Sequence, residues 1–434
     1  MKNKKIFFSS IVIVGLLLIG IFFYFIFQED NPYQYYTGLG DNFDLASNDE
    51  KIVFSYFKDG KEAIFSADPN GKNVKRLTPF GSLRHHQPKL SPDSSKLLYL
   101  AKNKEGIDAL YVANSDGTNP KKIVSDKMHV TNALFASSND TIYFTAKSAE
   151  DFKKAEEANG GEDIYSINLD GTNRKQLTDE DYFSIDYFLL SPNGKELYYR
   201  GDSEHIDTIT LEKEGEKNSL SSKLGIRDSY QQVLSPDGSK MAYTAVSKES
   251  ETASLYEYEL FLFDVESEKT NKLTNLKTSV TVPQFFHKAN KIAFLEHTNW
   301  PDDPAKYRFT TIDIDSKKLE KITLDMPKST ASSHWMMKTI NGAVNGITIS
   351  ILYILFVGLI TMYQVYFRAK KGYLPSIISL SFTIVAFIAS FVVAMTVDPW
   401  SGIAIAMLAA GLLGCTVLLF IFVFVLNMIK KRKA

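Results

Sequence analysis

Apolar residues in this chain gather at its two ends, and the long stretch between them alternates apolar with polar positions. Four runs at the ends, residues 6–27, 347–367, 375–397 and 403–428, contain no charged side chain. Each matches or exceeds the ~20 apolar residues that a helix needs to cross a bilayer. A buried helix of a globular domain is usually shorter and polar along one face, so the four runs predict transmembrane helices. The first run is too long for the apolar core of a signal peptide, and no small-residue cleavage pattern follows Phe27. It is expected to be an uncleaved signal anchor.

Between the anchors the period changes to two. Strands such as Lys51-Ile52-Val53-Phe54, Lys96-Leu97-Leu98-Tyr99 and Lys291-Ile292-Ala293-Phe294 are rich in β-branched and aromatic residues. Two short patterns recur around them. One is Ser91-Pro92-Asp93-Ser94, Ser191-Pro192-Asn193-Gly194 and Ser235-Pro236-Asp237-Gly238, each preceding a strand. The other is a strand, a turn and a second strand ending in Leu-Thr, at Leu77-Thr78, Leu177-Thr178 and Leu273-Thr274. Units begin near residues 43, 86, 130, 185, 229 and 280, with 206–222 the weakest copy. A repeat of roughly 40–50 residues that reads as four short strands is the signature of propeller blades. The fold class expected is therefore an all-β six-bladed β-propeller ectodomain plus four transmembrane α-helices, one N-terminal and three C-terminal.

These motifs resemble the repeats of the TolB-like six-bladed propeller family, over residues 43–326. The resemblance implies architecture and says little about activity, because such blades occur in periplasmic scaffolds and in peptidase accessory domains. The separate N-terminal α/β domain of TolB is not expected here, and three membrane helices follow the propeller instead. The domain plan is then a cytoplasmic tail (1–5), the anchor (6–27), a linker (28–42), the propeller (43–326), a second linker (327–346), three membrane helices (347–367, 375–397, 403–428) and a cytoplasmic tail (429–434).

Charge fixes the expected direction. Lys and Arg stay on the cytoplasmic side. Lys2, Lys4 and Lys5 hold the N-terminus inside, and Arg368, Lys370 and Lys371 and then Lys430–Lys433 mark the other inner loops. The turn Asp398-Pro399-Trp400-Ser401-Gly402, outside, carries no basic residue. The expectation is a multi-pass cell-membrane protein with both termini cytoplasmic and the propeller extracytoplasmic. The ten basic residues at these flanks, less Asp398, leave residues 6–338 at −10 within a net charge of −1. An acidic ectodomain argues against nucleic acid as a partner.

No nucleophile elbow, His-Glu-x-x-His or phosphate loop occurs in the sequence. No catalytic residue, metal or cofactor is expected, and the chain is not expected to be an enzyme. The single cysteine, Cys415, lies within an apolar run and reads as packing. His85 and His86 sit just before the innermost strand of the second blade, and adjacent strand positions point to opposite faces. Asp186, Asp228 and Tyr230, with Gln231 and Asn132, fall at comparable places, the rim of the central channel. Three connections are long, at 147–162, 246–257 and 297–306; the first suggests a short helix, and the third presents Trp300. His85, His86, Asp186, Asp228, Tyr230 and Trp300 are the candidate partner-binding residues. Gly342 and Gly346 at G-x-x-x-G spacing suggest close helix packing, and Asn341 and Asn345 a turn before the membrane. The reading is a membrane-anchored binding or scaffold protein for a protein, peptide or envelope polymer. Its alternative is a sensor or accessory subunit of a transport or signalling complex.

Overall fold

The computed structural model describes residues 2–28, 31–154, 160–202, 205–211, 223–327, 334–368 and 372–433. The chain divides into two compact units, Pro32–Ala331, and Met1–Asn31 with Ser332–Ala434.

The first unit is a succession of antiparallel meanders. β1 (Gly38–Leu45), β2 (Ile52–Lys58), β3 (Lys61–Ala67) and β4 (Lys75–Arg76) form one sheet. β5 (Arg84–Leu90), β6 (Lys96–Lys102), β7 (Asp108–Asn114) and β8 (Lys121–Lys122) form the next. β9 (Met128–Phe135), β10 (Thr141–Ser148), β11 (Asp163–Asn168) and β12 (Lys175–Gln176) form the third. β13 (Tyr187–Leu190), β14 (Glu196–Arg200) and β15 (Asp207–Thr210) follow, and 212–222, part of the weakest copy, lies outside the described residues. β16 (Tyr230–Leu234), β17 (Lys240–Val246), β18 (Tyr258–Asp264) and β19 (Lys269–Lys272) form another meander, and β20 (Ser279–Phe285), β21 (Lys291–His297), β22 (Tyr307–Asp313) and β23 (Leu319–Ile322) the last. A single parallel pair, Tyr258 with Ser279, links these two into one sheet.

The repeated motifs have defined mechanical roles. Ser91 Oγ donates to Asp93 Oδ1 at 2.6 Å and accepts from the Lys96 amide at 2.9 Å, which closes the β5–β6 turn. Ser191 with Asn193 and the Glu196 amide, and Ser235 with Asp237 and the Lys240 amide, repeat it. The Thr of each Leu-Thr accepts from a third-strand amide: Thr78 from Ile64 at 2.8 Å, Thr178 from Ile164 at 2.9 Å and Thr274 from Leu260 at 2.9 Å. These turns also touch one another. Ser47 Oγ donates to the Pro92 carbonyl, and the Asp93 amide donates to Asn139 Oδ1.

The last meander meets the first without exchanging a strand, because β1–β4 and β20–β23 come entirely from opposite ends of the repeat region. The joint is made by packing, by one carboxylate and by the Asp325 amide, which donates to the Gly71 carbonyl at 2.8 Å. Phe43 stands edge-on to Phe309 at 4.6 Å, within an apolar cluster that also holds Phe54, Leu295 and Ala293. Asp49 accepts from the amides of His287, Lys288 and Ala289. The outer strands β4, β8 and β12 read Lys-Arg, Lys-Lys and Lys-Gln and are exposed. Charge on an edge strand discourages pairing with another sheet.

The helical unit contains α1 (Lys2–Phe27), α3 (Trp335–Ala343), α4 (Gly346–Phe367), α5 (Leu374–Thr396) and α6 (Pro399–Lys433); α2 (Ala149–Lys154) is the short helix expected in the 147–162 connection. α1, α4, α5 and α6 are each long and apolar enough to cross a membrane. Inside the bundle Tyr353 Oη donates to Ser379 Oγ at 2.7 Å, and Ser379 lies 2.6 Å from Thr416 Oγ1. Hydroxyl contacts of this kind join helices where apolar packing alone gives no drive against lipid.

Two sequence expectations change here. The Asp398–Gly402 segment is not a free turn, because α6 begins at Pro399 and Asp398 Oδ1 accepts from the Ser401 amide at 2.8 Å. An acidic cap followed by proline favours helix initiation. A Cβ added at Gly342 or Gly346 would meet nothing within 4 Å, so among the described residues neither glycine mediates close packing. Asn345 does form the expected turn, capping α4 by accepting from the Thr348 amide at 3.0 Å.

Candidate functional site

The first strands of the six meanders line one cavity, and all but β13 carry a register shift. The ladder shifts by a bulge within β1, β5, β16 and β20, and opposite β10 within β9. Gln87, Gln231 and Val282 sit at these bulges with φ of 49°, 51° and 50°. A β-branched residue in the left-handed region is strained. Val282 is held there by its amide, which donates to Gln231 Oε1 at 2.6 Å.

The axis is a cavity of about 390 Å³ lined by β1, β5, β9, β13, β16 and β20. Its polar lining is dominated by carboxamides: Asn42, Gln87, Asn132, Gln231, Gln232 and Gln284. Lys89 and Asp186 are its charged members. A second cavity of about 430 Å³ continues toward the β1–β2, β5–β6 and β20–β21 turns, past Phe135, Phe285 and Pro92. Carboxamides donate and accept at once, so the channel can match an extended backbone or another neutral polar chain. It offers no nucleophile paired with a base. Among the described residues no group of His, Cys, Asp and Glu is placed to hold a metal ion.

The expected rim residues fall into two groups. Asp186 lines the channel and grips Arg200 through two contacts of 3.0 Å. Asp228 lies in the turn before β16, at φ 55°. Tyr230, 46% exposed, starts β16 and meets Tyr258 edge-on at 5.8 Å. Tyr258 in turn meets Trp300 at 5.9 Å, and Trp300 Nε1 donates to the Tyr256 carbonyl at 2.8 Å. The structure thus brings Tyr230 and Trp300 into one aromatic row, which sequence separation concealed. Trp300 packs on the neighbouring meander as well as on its own His297, 5.3 Å away.

His85 and His86 lie elsewhere. Both are inside β5 rather than before it, and both are buried. The bulge at Gln87 lets the strand extend past them, so Gln87 and not the histidines reaches the channel. His85 packs on Tyr99. His86 Nε2 lies 2.7 Å from Asp108 Oδ1, and Lys102 Nζ is 3.3 Å from the other oxygen. The Asp108 amide donates to His129 Nδ1 at 3.1 Å, and Phe152 of α2 stacks on His129 at 3.8 Å. Burial works against the Asp108 carboxylate, but His86, Lys102 and His129 outweigh it and hold its pKa below the ordinary value.

Burial also lowers His129 to about 4, and its Nδ1 is already occupied as an acceptor. The unfolded chain takes up this proton near the ordinary 6.5 and the folded one only near 4. Between those values the unfolded state binds more protons, so stability falls as pH drops. His85 and His297, also lowered by burial, act in the same direction. Urea titrations from pH 7 to 4 should show this decline, and His129→Gln should flatten part of it.

The geometry defines a succession of three- and four-stranded antiparallel meanders whose first strands line a shared cavity, in a chain that also carries helices of membrane-crossing length. Residues 79–201 match a propeller family described as the dipeptidyl peptidase IV (DPP IV) N-terminal region. Similar solved structures include TolB from Acinetobacter baumannii, at 18% identity and TM-score 0.45 over 62% of this chain and 61% of that one. A putative TolB from Agrobacterium tumefaciens is 17% identical with TM-score 0.44, over 58% of this chain and 84% of its own. An oligogalacturonate lyase from Vibrio parahaemolyticus is 13% identical with TM-score 0.44, over 64% and 79%. The chain thus spans about three fifths of the length of the Acinetobacter protein. A search of curated proteins finds no match.

Proposed function

We propose that this chain is a non-enzymatic, membrane-anchored binding protein. Its meanders close as a six-bladed propeller outside the cytoplasm and receive a protein or peptide segment in the axial channel. The observation that carries this reading is the carboxamide lining drawn from the first strands of the successive meanders. Such a lining matches the alternating donors and acceptors of a peptide backbone. The aromatic row from Tyr230 to Trp300 adds flat apolar surface beside the channel, the kind of residue that anchors interfaces. Charge placement supports both termini being cytoplasmic, with α1, α4, α5 and α6 crossing the membrane.

One experiment tests both halves. Gln231→Cys places a thiol in the channel, and the native Cys415 is buried in α6. A membrane-impermeant maleimide carrying a photo-crosslinker should label intact cells and, after illumination, join the propeller to a protein. Labelling that requires permeabilised cells overturns the sidedness. Labelling from outside that yields no crosslinked protein overturns the choice of partner.

A further inference from the structure

The repeats place an aromatic residue on the third strand of a meander opposite a basic or polar residue on the fourth. The register pairs Phe65 with Arg76, Tyr111 with Lys122, Tyr165 with Gln176 and Phe261 with Lys272. Two of the basic members are neutralised. Lys122 lies 2.8 Å from Asp126, and Lys272 lies 2.9 Å from Glu249. Arg76 differs: among the described residues it has no carboxylate partner and stands over the Phe80 ring at 5.3 Å. The same place in the first meander is also hollow, a cavity of about 290 Å³ walled by Tyr56, Phe65, Phe80 and Met326, with Lys58 and Arg76 among its lining residues. Phe65 is buried and meets Tyr56 at 5.6 Å and Phe80 at 6.0 Å, so the aromatic wall is fixed by the core behind it.

An apolar pocket, two lining cations and no lining acid define one kind of occupant. The geometry points to a binding site for a small anionic amphiphile: an aromatic or alkyl body enters the pocket, and its carboxylate or phosphate meets Arg76 and Lys58. Stacking on Phe80 restricts the guanidinium and leaves its edge to accept the anion. The volume is near the lower limit of ligand sites, about 300–1,000 Å³, which suits a single ring or short chain. Thr37, ahead of β1, and Met326 and Pro327, after β23, also line the pocket. An occupant therefore touches the chain on both sides of the repeat region. The site is separate from the axial channel and does not depend on what the channel binds.

The test uses the full chain in phosphatidylcholine nanodiscs, with 3-phenylpropionate as probe and its neutral amide as control. Ligand-observed NMR should show saturable binding of the acid, with the amide weaker by about tenfold or more. Arg76→Gln should weaken the acid by a similar factor and leave the amide unchanged, and Lys58→Gln should act in the same direction. Both substitutions replace side chains at the surface, and crosslinking from position 231 should be unaffected. Equal binding of acid and amide, indifference to Arg76→Gln, or no saturable binding overturns the proposal. Discs containing phosphatidylglycerol identify the source of the anion: lost probe binding means a lipid headgroup occupies the site, and retained binding means a soluble anion. Either result supports the site.

Discussion

Replacing Asp49 by alanine should lower the stability of the repeat region by about 2–4 kcal/mol, the worth of losing hydrogen bonds to a charged group at a largely buried site. The Asp49 side chain is 12% exposed, and its carboxylate takes the amides of His287 and Lys288 at 2.7 Å and that of Ala289 at 3.1 Å. These amides form an anion-binding concavity in the β20–β21 turn. No strand is exchanged between the first and last meanders, so this contact, the Phe43–Phe309 packing and the Asp325 amide bond to the Gly71 carbonyl carry the joint. Asp49 also has φ 59°, which confounds alanine with backbone strain. Glycine removes the strain and still loses the carboxylate. The expected order of stability is wild type, then Asp49→Asn, which keeps one acceptor, then Asp49→Gly, then Asp49→Ala. Urea midpoints would give the order, and hydrogen exchange should show β1 and β20 losing protection first. A loss within about 0.5 kcal/mol for both Gly and Ala would show that the joint does not depend on the Asp49 carboxylate.

What the sequence revealed follows from how each feature is encoded. The four long apolar helices are written in length and composition, which need no partner to be read. Ser-Pro-Asp and Leu-Thr are legible because each hydrogen bond they make is short-range, as Ser91 with the Lys96 amide and Thr78 with the Ile64 amide show. The bulges are not legible in this way. Gln87, Gln231 and Val282 share a backbone conformation but no residue type, because the conformation is imposed by neighbouring strands. This moved His85 and His86 from the expected rim into β5 and gave the channel to the residue after them. Asn132 and Gln231, expected at the rim, do line the channel, and the amides at 42 and 87 recur at similar places in their units. The row from Tyr230 through Tyr258 to Trp300 joins residues far apart in sequence, so only the packing of adjacent meanders reveals it. The Asp398-Pro399 cap was open to reading and would have started α6 at its observed position.

Asp108→Ala should cost about 3 kcal/mol, the lower part of the ~3–5 kcal/mol range for removing one partner of a buried ion pair. The residue is 3% exposed. Its carboxylate is the hydrogen-bond partner of His86 and the counter-charge for Lys102, and its amide fixes His129. The lower figure is expected because Lys102 is about a third exposed and can turn to water once released. His86 is buried in β5 and cannot, so its ring nitrogen loses its partner. The double change Asp108→Ala with His86→Ala should therefore cost less than the sum of the single changes, by about 1–2 kcal/mol. Acid should show the same dependence. Asp108 is held below its ordinary pKa of 3.8, so its contribution is present above that value and is lost as pH falls through the lowered one. His129 carries the stack with Phe152 of α2, so loosening it should free the 147–162 connection before the sheets unfold. Limited proteolysis of the Asp108→Ala protein should cut first in that connection. Resistance there, with a normal urea midpoint, would show that the meander seam does not depend on this buried charge.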